Sequence, residues 1–271
     1  MDLDKDMSVI QTVLEDIKDA DMVLVGLGEE FDGSFGLDSK AYENGKNILM
    51  QSENASFMPL WQRLFRQEQE GKIVSGLQAL ARALVGKNYF VLSVSTNRVI
   101  DGIPWREGRL VMPCGSDLVV QCSEGCQGHL HVADEALVDA LSKRLAEWRS
   151  TFSHSEQPDL PEGLGVCPYC KTTMQFNNIY NEAYDENGYL PAWQMYTKWL
   201  QGTVNRKLVV LELGVGMKFP GVIRFPFEKV AYFNQKAKFY RIHKNLYHLT
   251  EELASKGVGI ADNAIDWLQN L

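Results

Sequence analysis

The stretch Asp21–Glu30, DMVLVGLGEE, places a short apolar run, Met22–Val25, directly before the glycines of Gly26–Gly28. An apolar run that ends in a Gly-x-Gly turn is typical of a parallel strand that is buried on both faces of a sheet. Further buried strands are predicted at Tyr89–Ser95, Arg109–Met112, Lys207–Glu212 and Ala237–His243, the last of which reads as the final strand.

Segments with helical periodicity alternate with these strands. They are Ser8–Ala20, Leu77–Val85, Ala133–Trp148, Pro191–Leu200 and Ala261–Leu271. The alternation predicts an α/β fold, with a Rossmann-like parallel sheet that carries helices on both faces. Residues 29–75 show no such pattern, and we predict a long loop with short helices that closes over a site.

Ligands of such sheets bind beyond the carboxyl ends of the strands. Three of these ends are rich in glycine or in polar residues, namely 26–32, 96–102 and 214–221. We therefore expect the functional site where these three segments meet.

The composition narrows the range of partners. The chain has 271 residues and a formal net charge of −8. An acidic chain without a run of Lys or Arg repels phosphate backbones, so nucleic acid is not an expected partner. The sequence has no apolar stretch of about 18 residues and its start, MDLDKDMSVI, does not resemble a signal peptide, so no membrane association is expected. These features favour a cytoplasmic protein.

Four of the five cysteines form two closely spaced pairs. Three residues separate Cys122 from Cys126, and two residues separate Cys167 from Cys170. Short spacing lets both thiolates of a pair reach one ion, and two such pairs complete a tetrahedral four-sulfur zinc site. In a reducing cytoplasm, paired cysteines are metal ligands more often than disulfides.

A site closed by four sulfurs leaves no position for a substrate, so the metal is predicted to be structural. Two alternatives stay open, namely that His129 or His131 replaces one cysteine as a ligand, and that the four thiols are free. The pattern predicts a small zinc module, residues 117–190, inserted into a Rossmann-like nucleotide-binding domain that is formed by residues 1–116 and 191–271.

This combination resembles the sirtuins, a family of NAD-dependent protein deacylases and ADP-ribosyltransferases. The resemblance is carried by VGLG (Val25–Gly28), STNRVIDG (Ser95–Gly102), the four cysteines and LGVGMKFPG (Leu213–Gly221). The longer stretches RLVMPCGSDLVVQCSEGC and VVLELGVGMKFPGVIRFPF are most similar to the microbial class M sirtuins, which are linked to ADP-ribosylation and to lipoyl-carrier proteins.

The resemblance implies NAD and zinc as cofactors. The NAD-binding positions that it implies are Gly26, Leu27, Gly28, Thr96, Asn97, Asp101, Gly214, Val215, Gly216 and Asn234. Asn97 would lie beside the nicotinamide ribose, and Asn234 would contact the adenosine ribose. Asp101 would hold the carboxamide, or else simply belong to a turn. One departure is that Glu29 and Glu30 follow the first glycine turn, where carboxylates repel a diphosphate unless they point away.

Cys114 stands where deacylating sirtuins have a histidine base and where class M sirtuins have a glutamine. Three roles are open to it. It is a thiolate base or nucleophile if Arg98 or Arg109 lowers its pKa, a neutral and weakly hydrogen-bonding thiol, or a small apolar residue that fills a modified pocket. Asn97, Asp101 and Cys114 are the candidate catalytic residues.

Three functions follow from the resemblance. The first is NAD-dependent ADP-ribosyl transfer to a protein with release of nicotinamide, which needs no histidine base; a lipoyl-carrier protein is a candidate acceptor. The second is a module that binds NAD or ADP-ribose with little or no turnover. Lysine deacylation is the least favoured, because Cys114 replaces the general base.

Overall fold

The computed structural model describes residues 3–33, 39–126, 129–151, 158, 160 and 164–271. In these ranges the helices are α1 (Leu3–Asp19), α2 (Lys40–Met50), α3 (Met58–Ala83), α4 (Glu135–Thr151), α5 (Leu190–Gln201), α6 (Arg224–Phe233) and α7 (Ala264–Leu268). No helix of the described ranges combines the length and the apolar character that a membrane span requires.

The strands form two sheets. They are β1 (Met22–Leu27), β2 (Asn88–Ser93), β3 (Leu110–Val111), β4 (Gly115–Cys122), β5 (His131–Val132), β6 (Met174–Asn178), β7 (Leu208–Leu213), β8 (Ala237–Ile242) and β9 (Gly257–Ile260). The larger sheet has six strands in the order β3-β2-β1-β7-β8-β9, and all its pairings are parallel. The predicted α/β fold with a parallel sheet is confirmed.

Both faces of the larger sheet are buried, because side chains of a strand point to alternate faces. Val23 and Val25 of β1 pack into a core with α1, the second half of α3, and α7. Met22 and Leu24 of the same strand pack into a second core with α5 and α6. This two-sided burial explains why the strand reads as a continuous apolar run.

The smaller sheet is antiparallel, in the order β5-β4-β6. It packs with α2, the first half of α3, and α4 around a third core that includes Cys122, Cys167, Phe176 and Trp61. The first half of α3 thus belongs to a different core from the second half.

The prediction for residues 29–75 is wrong in its main point. Residues 34–38 lie outside the described part of the chain, but α2 and α3 occupy most of the rest, and α3 alone spans 26 residues. The predicted helix Leu77–Val85 is the end of α3. Its two halves bury different faces, so no single apolar stripe runs along it and the helical period is weak.

Ala237–His243 is not the final strand. β9 follows it and pairs in parallel with β8 at the sheet edge. Two of its four residues are glycines, and an edge strand with little apolar side-chain surface gives a weak strand pattern.

Candidate functional site

The carboxyl ends of four neighbouring strands lie side by side. Leu27 is in register with Ser93 and with Leu213, and Leu213 is in register with Ile242. Residues 28–33, 94–98, 214–218 and 243–245 therefore emerge at one edge of the sheet. The three segments that were expected to meet do meet.

The two glycine turns at this edge contact each other through backbone. The Gly28 amide donates to the Leu213 carbonyl oxygen at 2.9 Å, and the Glu30 amide donates to that of Gly214 at 3.2 Å. A Cβ atom on Gly28 would stand 2.1 Å from the Gly214 oxygen. Gly214 has φ = +60°, a conformation that favours glycine. Both positions need glycine for this turn-to-turn contact.

Gly26 and Leu27 have a role in packing. Gly26 lies within β1, and a Cβ atom there would stand 2.6 Å from Ile223 and 2.7 Å from Phe227. Gly26 thus lets α6 approach the sheet, and the Leu27 side chain is fully buried in the first core. Both residues are explained by packing.

The Glu29 carboxylate binds the second glycine turn. Its Oε2 accepts from the Gly216 amide at 2.6 Å, and its Oε1 accepts from the Lys218 amide at 3.0 Å. The side chain is buried, and Val215 beside it is buried as well. Glu29 therefore points into the site, onto the backbone donors of the second glycine turn.

Glu30 points to the far side of the same edge. Its Oε2 accepts from the Ala264 amide at 2.8 Å, at the start of α7, and its Oε1 lies 3.8 Å from Nδ1 of His243. Burial is the main cause that raises the pKa of Glu30 to about 7. Burial also lowers the pKa of His243 to about 4. A neutral carboxyl beside a neutral imidazole avoids two buried charges.

Asp32 ties the first turn to the end of β2. Its Oδ1 accepts from Ser95 Oγ at 2.7 Å and from the Thr96 amide at 2.9 Å. Thr96 Oγ1 in turn donates to Gln62 of α3 at 2.9 Å. Burial raises the pKa of Asp32, although the hydrogen bond from Ser95 opposes this. Thr96 is therefore held inside the protein by Asp32 and Gln62.

Asn97 is fully buried beside the first turn. Its side-chain amide donates to the Phe31 carbonyl oxygen at 2.8 Å, and its side-chain oxygen accepts from the Val99 amide at 3.2 Å. These two bonds fix the orientation of the side chain at the carboxyl end of β2, next to the residues of the first turn.

Asp101 is exposed, whereas Asp117 is the buried acidic residue of this region. Arg98 bridges outward, with Nη1 3.5 Å from Asp117 and with Nη2 on Glu135. Among the described residues, the Asp117 oxygens and the Arg66 guanidinium have no hydrogen-bond partner, although both side chains are buried. Burial raises the pKa of Asp117 and lowers that of Arg66. The structure thus offers Asp117, not Asp101, as an acidic group inside the fold.

Cys114 is buried beneath the site. Burial is the main cause that raises the pKa of its thiol to about 12, and Asp32 and Glu29 add repulsion. Arg98, which was one candidate to lower this pKa, is engaged with Asp117 and Glu135. A thiol in these surroundings keeps its proton at neutral pH, which argues against the thiolate role.

A crevice of about 360 Å³ opens between the carboxyl edge and helices α2 and α3. Its lining includes Glu29, Asp32, Lys46, Gln62, Tyr180 and Lys218. The Lys218 ammonium donates to Tyr180 Oη at 2.8 Å and lies over the Tyr180 ring. The crevice therefore brings two lysines next to the turn that Glu29 occupies.

Asn234 does not belong to this site. It follows α6 and precedes β8, so it stands at the amino edge of the sheet, opposite the glycine turns. Its side-chain amide donates to the carbonyl oxygens of Thr203 at 2.9 Å and Arg206 at 3.1 Å. These bonds fasten a loop, and they argue against the implied contact with a ribose. The carboxyl end of β8 carries His243 instead.

The four paired cysteines converge at the margin of the third core, with Cys122 and Cys167 buried and Cys170 exposed. Cys122, Cys126, Cys167 and Cys170 have sulfur atoms that all lie within 4.8 Å of one another, and the Cys122 and Cys170 sulfurs are 3.3 Å apart. Sulfurs at zinc–sulfur distances of about 2.3 Å in a tetrahedron are about 3.8 Å apart, so the quartet fits one tetrahedral ion.

Neither histidine near the first cysteine pair joins the quartet. The ring of His129 stacks on Tyr169 with centroids 3.6 Å apart, and His131 is an exposed residue of β5. Within the described residues, the group that can hold an ion thus consists of cysteines alone.

Several residues of the site carry no visible signal in the sequence. Gln62 lies in the first half of α3, which was not predicted, and Tyr180 comes from a loop that was not expected to face the site. Asp32 and Lys218 are exceptions, since they lie in the segments 26–32 and 214–221 that were expected to face the site.

No protein-family model matches this chain. A protein ADP-ribosyltransferase from Staphylococcus aureus is 20% identical over 96% of this chain and 84% of its own length.

Among solved structures, a Sir2 variant in complex with a p53 peptide and NAD matches with a TM-score of 0.56 at 11% identity, covering 96% of this chain and 95% of its own. A Sir2 protein bound to a propionylated peptide matches with a TM-score of 0.53 at 11% identity and the same coverage. The chain has the sirtuin fold, and the predicted likeness to the sirtuins is confirmed at that level.

Proposed function

We propose that this chain binds NAD at the carboxyl edge of the larger sheet and transfers its ADP-ribosyl group to a protein, with release of nicotinamide. The similarity to the staphylococcal ADP-ribosyltransferase, which extends over 96% of the chain, supports this assignment. The sirtuin fold, of which one neighbour is in complex with NAD, supports the location of the site.

The observation that carries the reaction type is the buried, protonated thiol of Cys114. With a pKa of about 12, this group cannot take a proton at neutral pH and does not act as a general base. Deacylation by the route that uses a histidine base is therefore disfavoured. Transfer forms a bond between an acceptor atom and the ribose and breaks the bond to nicotinamide, which leaves with the electron pair, while the acceptor's proton passes to solvent.

Within this proposal, Asn97 is the catalytic residue, since its fixed side chain stands at the end of β2, and Thr96 supports it. Gly28, Gly214, Val215 and Gly216 form the walls of the cofactor site. Asp101 is exposed, so we assign it to the rim. The residues fit the cofactor's diphosphate only after the Glu29 carboxylate has left the Gly216 and Lys218 amides.

The same contact favours a second candidate function. A carboxylate on the phosphate-binding turn weakens NAD binding by competition and repulsion. A module that holds ADP-ribose without turnover is therefore the alternative. Four features remain part of the proposal: a lipoyl-carrier protein as acceptor, zinc at the cysteine quartet, a separate module at 117–190, and a cytoplasmic location.

The test is release of nicotinamide from NAD, followed by chromatography, with and without a lipoyl-carrier protein. We expect release that rises with the acceptor, together with an ADP-ribose mass on that acceptor. The Asn97→Ala variant should lose release while keeping its melting temperature within a few degrees. Binding of NAD by calorimetry with no release in any sample would instead establish the binding module.

A further inference from the structure

Glu29 is held on the second glycine turn by contacts on both sides. The Gly28 and Glu30 amides bind the carbonyl oxygens of Leu213 and Gly214, so the backbone on either side of Glu29 is fastened to that turn. The two carboxylate oxygens then take the amides of Gly216 and Lys218 at 2.6 and 3.0 Å. This arrangement is a built contact and does not depend on a freely rotating surface side chain.

Successive backbone amides of a turn form a cradle for an anion, and phosphate oxygens and carboxylate oxygens use the same donors. In this chain the anion in the cradle belongs to the protein itself. A cofactor diphosphate and the Glu29 carboxylate cannot both occupy it, because the donors are shared and the two charges repel.

The neighbouring crevice offers a place for an incoming anion. Lys46 and Lys218 line it together with Glu29. Lys46 pairs with the exposed Glu43 at 3.0 Å, and the Lys218 ammonium is bound to Tyr180. Neither lysine needs Glu29 as a partner, so both remain available to a diphosphate once the cradle is free.

We propose that the Glu29 carboxylate occupies the diphosphate cradle of the second glycine turn, so that NAD or ADP-ribose binds only by displacing it. This inference rests on the proposed binding of NAD at this edge. The cofactor then competes with the Glu29 carboxylate for the same amides, which lowers its affinity. The same contact explains how Glu29 is accommodated in this fold.

The experiment measures ADP-ribose binding by calorimetry in the wild type, Glu29→Gln and Glu29→Ala. We expect both variants to bind at least tenfold more tightly than the wild type. Glu43→Gln is the matched control, because it removes one negative charge from the same crevice without touching the cradle; its affinity should stay within about twofold of the wild type.

Hydrogen exchange of the segment 214–218 gives a readout without ligand. The Gly216 and Lys218 amides should exchange slowly in the wild type, at least tenfold faster in Glu29→Ala, and slowly again when ADP-ribose is added to that variant. Equal exchange in the wild type and Glu29→Ala would overturn the inference.

The two proposals fail in different ways. Wild-type binding with unchanged affinity in Glu29→Gln would overturn the role of Glu29 and leave the proposed function standing. Tighter binding in the variants without nicotinamide release from NAD would support the role of Glu29 and overturn the transferase. No binding of ADP-ribose by any variant would overturn both.

Discussion

A methyl group added to Gly28 would stand 2.1 Å from the carbonyl oxygen of Gly214, so the two glycine turns of the site meet through bare backbone. A backbone oxygen cannot rotate away as a side chain does. The lack of a side chain at Gly28 thus allows the two turns to approach closely. This close approach in turn lets Glu29 reach the second turn.

The Gly28→Ala variant should therefore be less stable by about 1–3 kcal/mol, the usual cost of forcing extra atoms into a packed region. Urea denaturation measures this difference. Gly71→Ala is the matched control, because Gly71 lies in α3 with nothing within 4 Å of a Cβ atom. Alanine favours a helix over glycine by about 1 kcal/mol, so the control should be at least as stable as the wild type. Equal stability of Gly28→Ala and the wild type would contradict the contact.

Removing one partner of the buried ion pair of Glu212 and Arg241 should destabilise the fold. Arg241 Nε lies 2.6 Å from Glu212 Oε1 and its Nη2 lies 3.1 Å from Oε2, both inside the sheet. Glu212 also lies 3.4 Å from Nη2 of Arg224, while Arg241 has a second carboxylate in Glu228 at 2.6 Å. Glu212→Gln leaves this buried cluster with two cations and one carboxylate, so it should lower the free energy of unfolding by about 3 kcal/mol.

The control for that pair is Asp19→Asn, which breaks an exposed pair with Lys207 at 2.9 Å. Water screens such a pair, so the variant should unfold at the same urea concentration as the wild type. The argument fails if the two substitutions have the same effect.

The buried carboxyl of Glu30 should give the chain an unusual dependence on pH. Its pKa is raised from 4.5 to about 7, chiefly by burial, with repulsion from Asp262 and Asp266. Between these values the folded chain holds a proton that the unfolded chain releases, so the free energy of unfolding falls as the pH rises through this window. A shift of this size corresponds to about 3 kcal/mol at most.

His243 acts in the opposite direction. Its pKa is lowered from 6.5 to about 4, so between these values the unfolded chain holds the extra proton and stability rises with pH. Glu30→Gln removes only the first effect. The free energy of unfolding of the variant minus that of the wild type should therefore increase from pH 4.5 to 7 and stay constant above pH 7. A constant difference over that range, measured by urea denaturation, would rule out the raised pKa.

Cys114 should resist alkylation in the folded protein. A pKa of about 12 leaves about one thiol in ten thousand ionised at pH 8, and burial also blocks access. Mass spectrometry should find Cys114 unlabelled by iodoacetamide until urea unfolds the chain. The Cys114→Ala variant should release nicotinamide at the wild-type rate. Loss of release without loss of stability would show that the thiol takes part in the reaction.

The cysteine quartet should hold one zinc ion per chain. Its four sulfurs lie within 4.8 Å of one another, as one tetrahedral ion requires. Elemental analysis of Cys167→Ser should show that most of the zinc is lost, and a chelator should lower the melting temperature of the wild type. Cys114→Ser retains the quartet and should keep its zinc. A wild-type chain that is metal-free and equally stable would contradict a structural role.

The larger sheet is predictable from the sequence because its strands are buried on both faces and read as apolar runs, as Met22–Val25 does. Most of helix α3 is not predictable in this way, because its two halves pack into two different cores and no single apolar stripe runs along it. Asn234 shows how a resemblance can mislead, because a residue before a parallel strand stands at the amino edge. The contact between Glu29 and Gly216 joins distant parts of the chain, and only the fold reveals it.

The pairing of β1 with β7 also means that the larger sheet cannot be completed until β7 has been synthesised. Met22 pairs with Leu208, so β1 has no β7 partner until most of the chain has left the ribosome. Until then an apolar strand edge is open to other chains, which is the situation that favours aggregation. The antiparallel pairing of Gly115 with Asn178 shortens the loop that has to close. Once formed, the smaller sheet therefore holds the two halves of the larger sheet closer together in the chain.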